Sequence, residues 1–236
     1  MSLLEITDLR ARYGEFQALS GVSLSMEEGG VLAVVGANGA GKTTLLKTIA
    51  GIVPVAGGSV VFDGHDLAPL AAHQRTRLGI AVTPEGRRLF PNMTVEENLL
   101  VGGHTRRPGV WGLERLYDTF GVVGDIRARL GRHLSGGQQQ AVAICRALMS
   151  NPKLLMLDEV SLGLAPVVVD QIYATLPTIT EQGTTVLLVE QDAGHALAAS
   201  DHVVCLLEGR TVLSGPSDQV SRADLASAYF GLAPSH

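Results

Sequence analysis

Aromatic residues make up only 4% of this 236-residue chain, and it has just two cysteines. So few aromatics leave little material for the stacking platforms that grip single-stranded nucleic acid. Cys145 and Cys205 show no C-x-x-C spacing, so they read as buried free thiols in a reducing compartment. No run approaches the roughly 18 consecutive apolar residues that span a bilayer. Met1–Asp8 lacks the basic region and apolar stretch of a secretory signal. Positive charge is scarce too: a net charge of −5 argues against broad binding to a nucleic-acid backbone. The basic pair Arg106-Arg107 reads as part of a solvated loop. The expectation is a cytoplasmic protein with no nucleic-acid partner. What is plentiful is hydrophobic residues, at 46%, enough to bury an α/β core without disulfide or metal staples.

Two hydrophobic patterns divide the chain. Leu4, Ile6 and Leu9, then Val22, Leu24 and Met26, alternate as half-buried strands do, and Ser59–Gly64 follows a Gly-Gly turn. These predict a small antiparallel sheet. Val31–Val35, Ile80–Thr83, Leu154–Leu157 and Thr185–Val189 are continuous apolar runs, predicting strands buried on both faces of a parallel sheet. Helical patterns alternate with them, which makes the class α/β with right-handed crossovers. Between Pro84 and Leu134 only helical periodicity appears, at Thr94–Leu100 and Leu113–Phe120. The expected division is an α/β core from 1–84 and 151–236, with a helical subdomain over 85–150. Val167–Glu181 is helical in pattern, but Pro177 predicts a kink or early end there. A hairpin is expected at Val203–Leu207 and Arg210–Leu213, and a terminal helix at Asp224–Gly231.

Three segments carry chemistry. The run Val31–Val35 leads into Gly36-Ala37-Asn38-Gly39-Ala40-Gly41-Lys42-Thr43-Thr44 and then a helical pattern. This is G-x-x-x-x-G-K-[ST] between a strand and a helix, the context a phosphate loop requires. Backbone N–H groups of such a loop converge on phosphate oxygens, aided by the positive end of the helix. Lys42 supplies a point charge for the β- and γ-phosphates, and the Thr43 hydroxyl is placed for Mg²⁺. The second segment, Leu154–Leu157 followed by Asp158-Glu159, ends an apolar strand in two acids at the sheet edge where α/β ligands bind. Asp158 is placed to hold Mg²⁺, and Glu159 to orient or deprotonate the attacking water. The third, Leu134-Ser135-Gly136-Gly137-Gln138, is a Ser-capped helix start whose glycines leave its N–H groups open to an anion.

Taken together, these motifs resemble those of the ATP-binding cassette (ABC) ATPases over essentially the whole chain. The resemblance implies a P-loop NTPase core with a mainly parallel sheet, an antiparallel β subdomain and a helical insert. It implies ATP and Mg²⁺, with two chains enclosing two nucleotides head to tail. Ser135, Gly136 and Gly137 would then contact ATP held by the opposite chain, while the loop Gly36–Thr44, Asp158 and Glu159 act within their own. Tyr13 matches the aromatic that stacks on adenine.

Departures from the common pattern narrow the resemblance. Glu85 stands where most members have Gln, Gln191 where most have a His, and Ala165 where an Asp is usual. Together with Thr94–Leu99 and Ser161–Pro166 these are similar to the shorter ATPase of bacterial branched-chain amino acid importers. A urea or short-chain amide importer has a near-identical subunit, and a regulatory ABC protein is a further alternative. Glu85 would add a metal ligand, and Gln191 could reach the γ-phosphate through its amide without a positive charge. Val160, where Pro usually follows the catalytic Glu, should leave that backbone freer. The implied partners are a second copy or a companion ATPase, membrane permeases on the inner face of the cell membrane, and indirectly an external solute-binding protein. Isolated homodimers are expected to turn over slowly.

Overall fold

The computed structural model describes residues 2–229. Two long strands, β1 (Ser2–Tyr13) and β2 (Phe16–Glu27), form a hairpin, and β3 is Val31–Val35. After α1 (Lys42–Ile49) come β4 (Gly57–Phe62), β5 (His65–Asp66), α2 (Ala72–Leu78) and β6 (Ile80–Thr83). The helical stretch holds α3 (Val95–Gly102), α4 (Leu113–Thr119), α5 (Gly121–Asp125) and α6 (Gly136–Leu148). The chain continues through β7 (Leu154–Asp158), α7 (Pro166–Tyr173), α8 (Leu176–Glu181), β8 (Thr185–Glu190) and α9 (Ala193–Ala199). It closes with β9 (His202–Leu207), β10 (Arg210–Pro216) and α10 (Arg222–Tyr229). Phe230 and Gly231, the end of the expected terminal helix, lie outside the described residues.

The alternating runs form an antiparallel sheet in the order β2-β1-β4-β5. Leu4 pairs with Met26, Ile6 with Leu24 and Leu9 with Val22. The continuous runs form a six-stranded sheet in the order β10-β9-β3-β8-β7-β6, parallel except for β10. Period-two alternation sorts its side chains between faces. Leu32, Val34, Leu154, Met156, Leu187 and Val189 pack with the antiparallel sheet and α1. Leu155, Leu157, Val186 and Leu188 pack with the helices on the other side. That second core joins Val95, Leu99, Leu116 and Val142 directly to the sheet, so the helical stretch shares its interior with the strands.

Pro177 divides the expected single helix. The first part ends at Tyr173, and the second begins at Leu176 with Pro177 as its second residue, where an N–H has no intrahelical acceptor to lose. Arg107 is also more than a solvated loop residue: its Nη1 donates to the Arg77 and Leu78 carbonyls at the end of α2, where a cation opposes the helix dipole. Both cysteines are buried and unpaired. Among the described residues no helix is long and apolar enough to cross a membrane.

Candidate functional site

The parallel register brings four strand ends to one edge. Val35 pairs with Glu190, Asp158 with Val189 and Thr83 with Leu157. The loop after β3, Glu85 after β6, Asp158 and Glu159 around the end of β7, and Gln191 after β8 therefore converge. A cleft of about 490 Å³ is lined there by Tyr13, Asn38, Gly39, Gly41, Lys42, Thr43, Thr44, Glu85, Glu159 and Gln191, joined by Phe16 and Leu162. Residues up to 178 positions apart in sequence meet in it because of strand order alone.

Glycine shapes the loop by steric need. A Cβ at Gly36 would strike the Leu206 carbonyl. Gly41 precedes α1 with φ +104, and a Cβ there would lie 2.8 Å from Leu19 Cδ2. The hairpin turn Glu208-Gly209, with φ +47 and +73, supports the loop from behind by donating the Gly209 N–H to the Ala40 carbonyl.

Lys42 is only 4% exposed. Its Nζ donates to the carbonyls of Gly36 (2.7 Å) and Ala37 (3.2 Å) and lies 3.4 Å from Glu159 Oε1. The other Glu159 oxygen, Oε2, accepts from Gln191 Nε2 at 2.7 Å. Glu159 has φ +49, a left-handed conformation that costs a non-glycine residue about 1–2 kcal/mol. Its N–H donates to the Val189 carbonyl (3.0 Å), and Val160 beside it is buried in the core, so surrounding structure holds this turn.

Asp158 accepts from the Thr43 hydroxyl at 3.2 Å. Burial first, then the charges of Glu159 and Glu85, push its carboxyl up, opposed by the Thr43 hydrogen bond and Lys47. No cluster of three or more His, Cys, Asp or Glu suited to a metal exists among the described residues. The Asp158 carboxylate, the Thr43 hydroxyl and nearby Glu85 are oxygen donors of the kind a hard cation such as Mg²⁺ takes.

Tyr13 and Phe16 flank the hairpin turn, 47% and 70% exposed, and both face the cleft. Tyr13 is thus a cleft residue, not part of the core. Phe16 was not singled out from sequence; its signal was an apolar aromatic at a turn, three residues after Tyr13.

Ser135, Gly136 and Gly137 stand apart from this cleft. Ser135 caps α6: its Oγ accepts from the Gln138 N–H (3.3 Å), and Gln138 Oε1 accepts from the Ser135 N–H (3.0 Å). A Cβ at Gly137 would lie 2.5 Å from Val168 Cγ1, so glycine lets α6 and α7 approach. Ser135 and Gly137 line a different cavity of about 450 Å³, with Phe120 and Val168.

Comparison with known proteins agrees with this architecture. Residues 19–161 match the family described as ABC transporter. A branched-chain amino acid transport ATP-binding protein of Pseudomonas aeruginosa, BraG, is 41% identical over 89% of this chain and 91% of its own. LptB of Haemophilus influenzae, a lipopolysaccharide export ATP-binding protein, is 32% identical over 93% of each chain. The ADP conformation of MJ1267, an ATP-binding cassette of an ABC transporter, superposes with a TM-score of 0.83 at 29% identity, over 98% of this chain and 99% of that one. A dimeric structure of the cassette MJ0796 has a TM-score of 0.79 at 25% identity, over 91% of this chain and 98% of that one.

Proposed function

This chain belongs to the ATP-binding cassette family of transporter ATPases and hydrolyses ATP, and we propose that it powers uptake of branched-chain amino acids through a membrane importer. The observation that carries the ATPase chemistry is the meeting of Lys42, Thr43, Glu159 and Gln191 in one cleft. The importer reading rests on the likeness to BraG together with Glu85, Ala165 and Gln191 at their positions in the sequence.

In this reading ATP lies with its phosphates on the N–H groups of Gly39, Gly41 and Thr44, its adenine against Tyr13, and Asn38 at the rim. Lys42 exchanges the Gly36 and Ala37 carbonyls for phosphate oxygens. Thr43 and Asp158, with Glu85 nearby, would hold Mg²⁺, which would supply positive charge against the phosphates. Glu159 takes the proton of the attacking water. Gln191 orients Glu159 and offers its amide to the γ-phosphate. Ser135, Gly136 and Gly137 serve the nucleotide of a second cassette, since no residue of that turn lines the phosphate-loop cleft. The core 1–84 and 151–236 then binds nucleotide, and 85–150 presents the capped helix to the partner.

ABC cassettes work as dimers beside membrane permeases. The finer assignment is a homodimer, or a heterodimer with a companion ATPase, at the inner face of the membrane, served by an external solute-binding protein. A groove holding exposed Phe90 and Val101 beside Arg88 and Arg146 is a suitable seat for the permease. Without that seat filled, the neutral Gln191 gives slow turnover.

Phosphate release tests the chemistry. Glu159→Gln should lower it by at least about 100-fold while ATP binding persists; an unchanged rate would remove Glu159 as the base. Deleting the chain from its host should abolish uptake of labelled leucine, and normal leucine uptake would assign a different cargo.

A further inference from the structure

Glu190, the last residue of β8, is 1% exposed and has no ion-pair partner among the described residues. A buried carboxylate persists only if donors replace its water. Here Oε2 accepts from Ser161 Oγ at 2.7 Å, and Oε1 accepts from the Tyr173 hydroxyl at 2.5 Å and the Ser161 N–H at 3.3 Å. Tyr173 comes from α7 and rests against the His195 ring, with centroids 5.6 Å apart. Burial, then the Glu190 charge, pushes the Tyr173 phenol up, so it remains a donor.

Ser161 lies two residues beyond Glu159, and Gln191 directly follows Glu190. Two side-chain rungs therefore join the turn after β7 to the turn after β8: Gln191 to Glu159, and Ser161 to Glu190. A backbone bond joins the same two segments, from the Glu159 N–H to the Val189 carbonyl. The Gln191 carbonyl is held separately by the Tyr229 hydroxyl at 3.3 Å. Beyond the rungs the loop reaches the surface: Leu162 is 50% exposed and Gly163 has φ +70.

We propose that Glu190 is a positioning residue: through Ser161 it locks the Glu159 and Gln191 turns into one rigid unit. This rests on the reading of Glu159 and Gln191 as the ATPase machinery. A charge-assisted hydrogen bond of this kind holds geometry as well as contributing energy, so its loss should appear in the chemical step and not in nucleotide affinity.

Ser161→Ala removes the 2.7 Å side-chain bond while leaving Glu190 bonded to Tyr173 and to the backbone N–H of position 161, and Ser161→Thr retains the hydroxyl. Ser161→Ala should lower kcat about tenfold at unchanged KM for ATP and a thermal midpoint within about 2 °C of the parent, with Ser161→Thr restoring most of the rate. Glu190→Gln keeps one acceptor oxygen and should lower kcat similarly. Combining it with Ser161→Ala should cost little more than either change alone, as expected for groups acting as one unit. A parental kcat in Ser161→Ala, or additive losses in the double variant, overturns the positioning role. Glu159→Gln assayed alongside separates the two readings. Parental phosphate release in Glu159→Gln removes Glu159 as the base and with it the reading this proposal rests on, whereas loss there with a parental Ser161→Ala removes only the role of Glu190.

Discussion

At the carboxyl edge of the sheet, Lys42 and Gln191 are each tied to Glu159, whereas Ser135, at the start of α6, is tied among the described residues to its own helix. The first arrangement depends on four strands arriving in register. The second is local, a reciprocal cap spanning four residues. The difference teaches where each half of the chemistry can be damaged. A change in the cleft acts on the nucleotide of its own chain, in binding or in the chemical step. A change at the cap leaves the cleft of the same chain intact and acts only on whatever nucleotide that cap faces.

The sharpest way to break this comparison is Ser135→Arg. Nucleotide affinity should stay within about twofold of the parent, while turnover of the homodimer falls to a background about 100-fold lower. Glu159→Gln chains should be equally inactive. Mixing the two variants should then restore activity, because the cleft of the Ser135→Arg chain would face an intact Ser135 from the Glu159→Gln chain. Phosphate release from the mixture, titrated against each parent, is the measurement. A mixture as inactive as its components would show that Ser135 serves its own chain.

Asp158→Asn tests the other half of the comparison, with effects in two directions. Turnover with Mg²⁺ should fall by at least about tenfold, since a neutral amide is a poor ligand for a hard cation. Stability without nucleotide should rise. Burial and neighbouring acids hold the Asp158 carboxyl above its ordinary value. Its ionised form therefore opposes folding above that raised value, and the penalty vanishes once pH falls below the ordinary carboxylate value. The melting temperature of Asp158→Asn should exceed the parent's at neutral pH, and the gap should close on acidification. A gap that widens on acidification would reverse the assigned sign.

How legible each half was in the sequence follows from the same contrast. The cap at Ser135 and the loop Gly36–Thr44 are local, so spacing alone exposed them, and β3 and β6 begin and end at the residues their apolar runs predicted. The split of the helix at Pro177 was readable for the same reason. Strand order was not. That β3 lies between β8 and β9, with β7 beyond β8, follows from crossover packing, and only this order brings Gln191 onto Glu159. Glu190 was silent because a lone acid at a strand end looks solvated until Ser161 and Tyr173 are seen to bury it. Phe16 was silent because its role depends on which side of the hairpin turn faces the loop.

The smallest expected effects lie at the rim, where Tyr13 and Phe16 are exposed and neither bonds to the network behind them. Stacking on a base contributes about 1–3 kcal/mol per aromatic, and Tyr13 is the better buried of the two. Tyr13→Ala should raise KM for ATP about tenfold at unchanged kcat, because adenine stacking is the same in the ground and transition states. Phe16→Ala should raise it about twofold to threefold, since a side chain 70% exposed offers the base less enclosed surface. If Phe16→Ala instead lowers kcat while leaving KM alone, the hairpin turn communicates with the Lys42–Glu159–Gln191 network, and the rim belongs to the tied half of the site. Steady-state kinetics of the two variants, with binding of a fluorescent ATP analogue as the check on KM, decide between these outcomes.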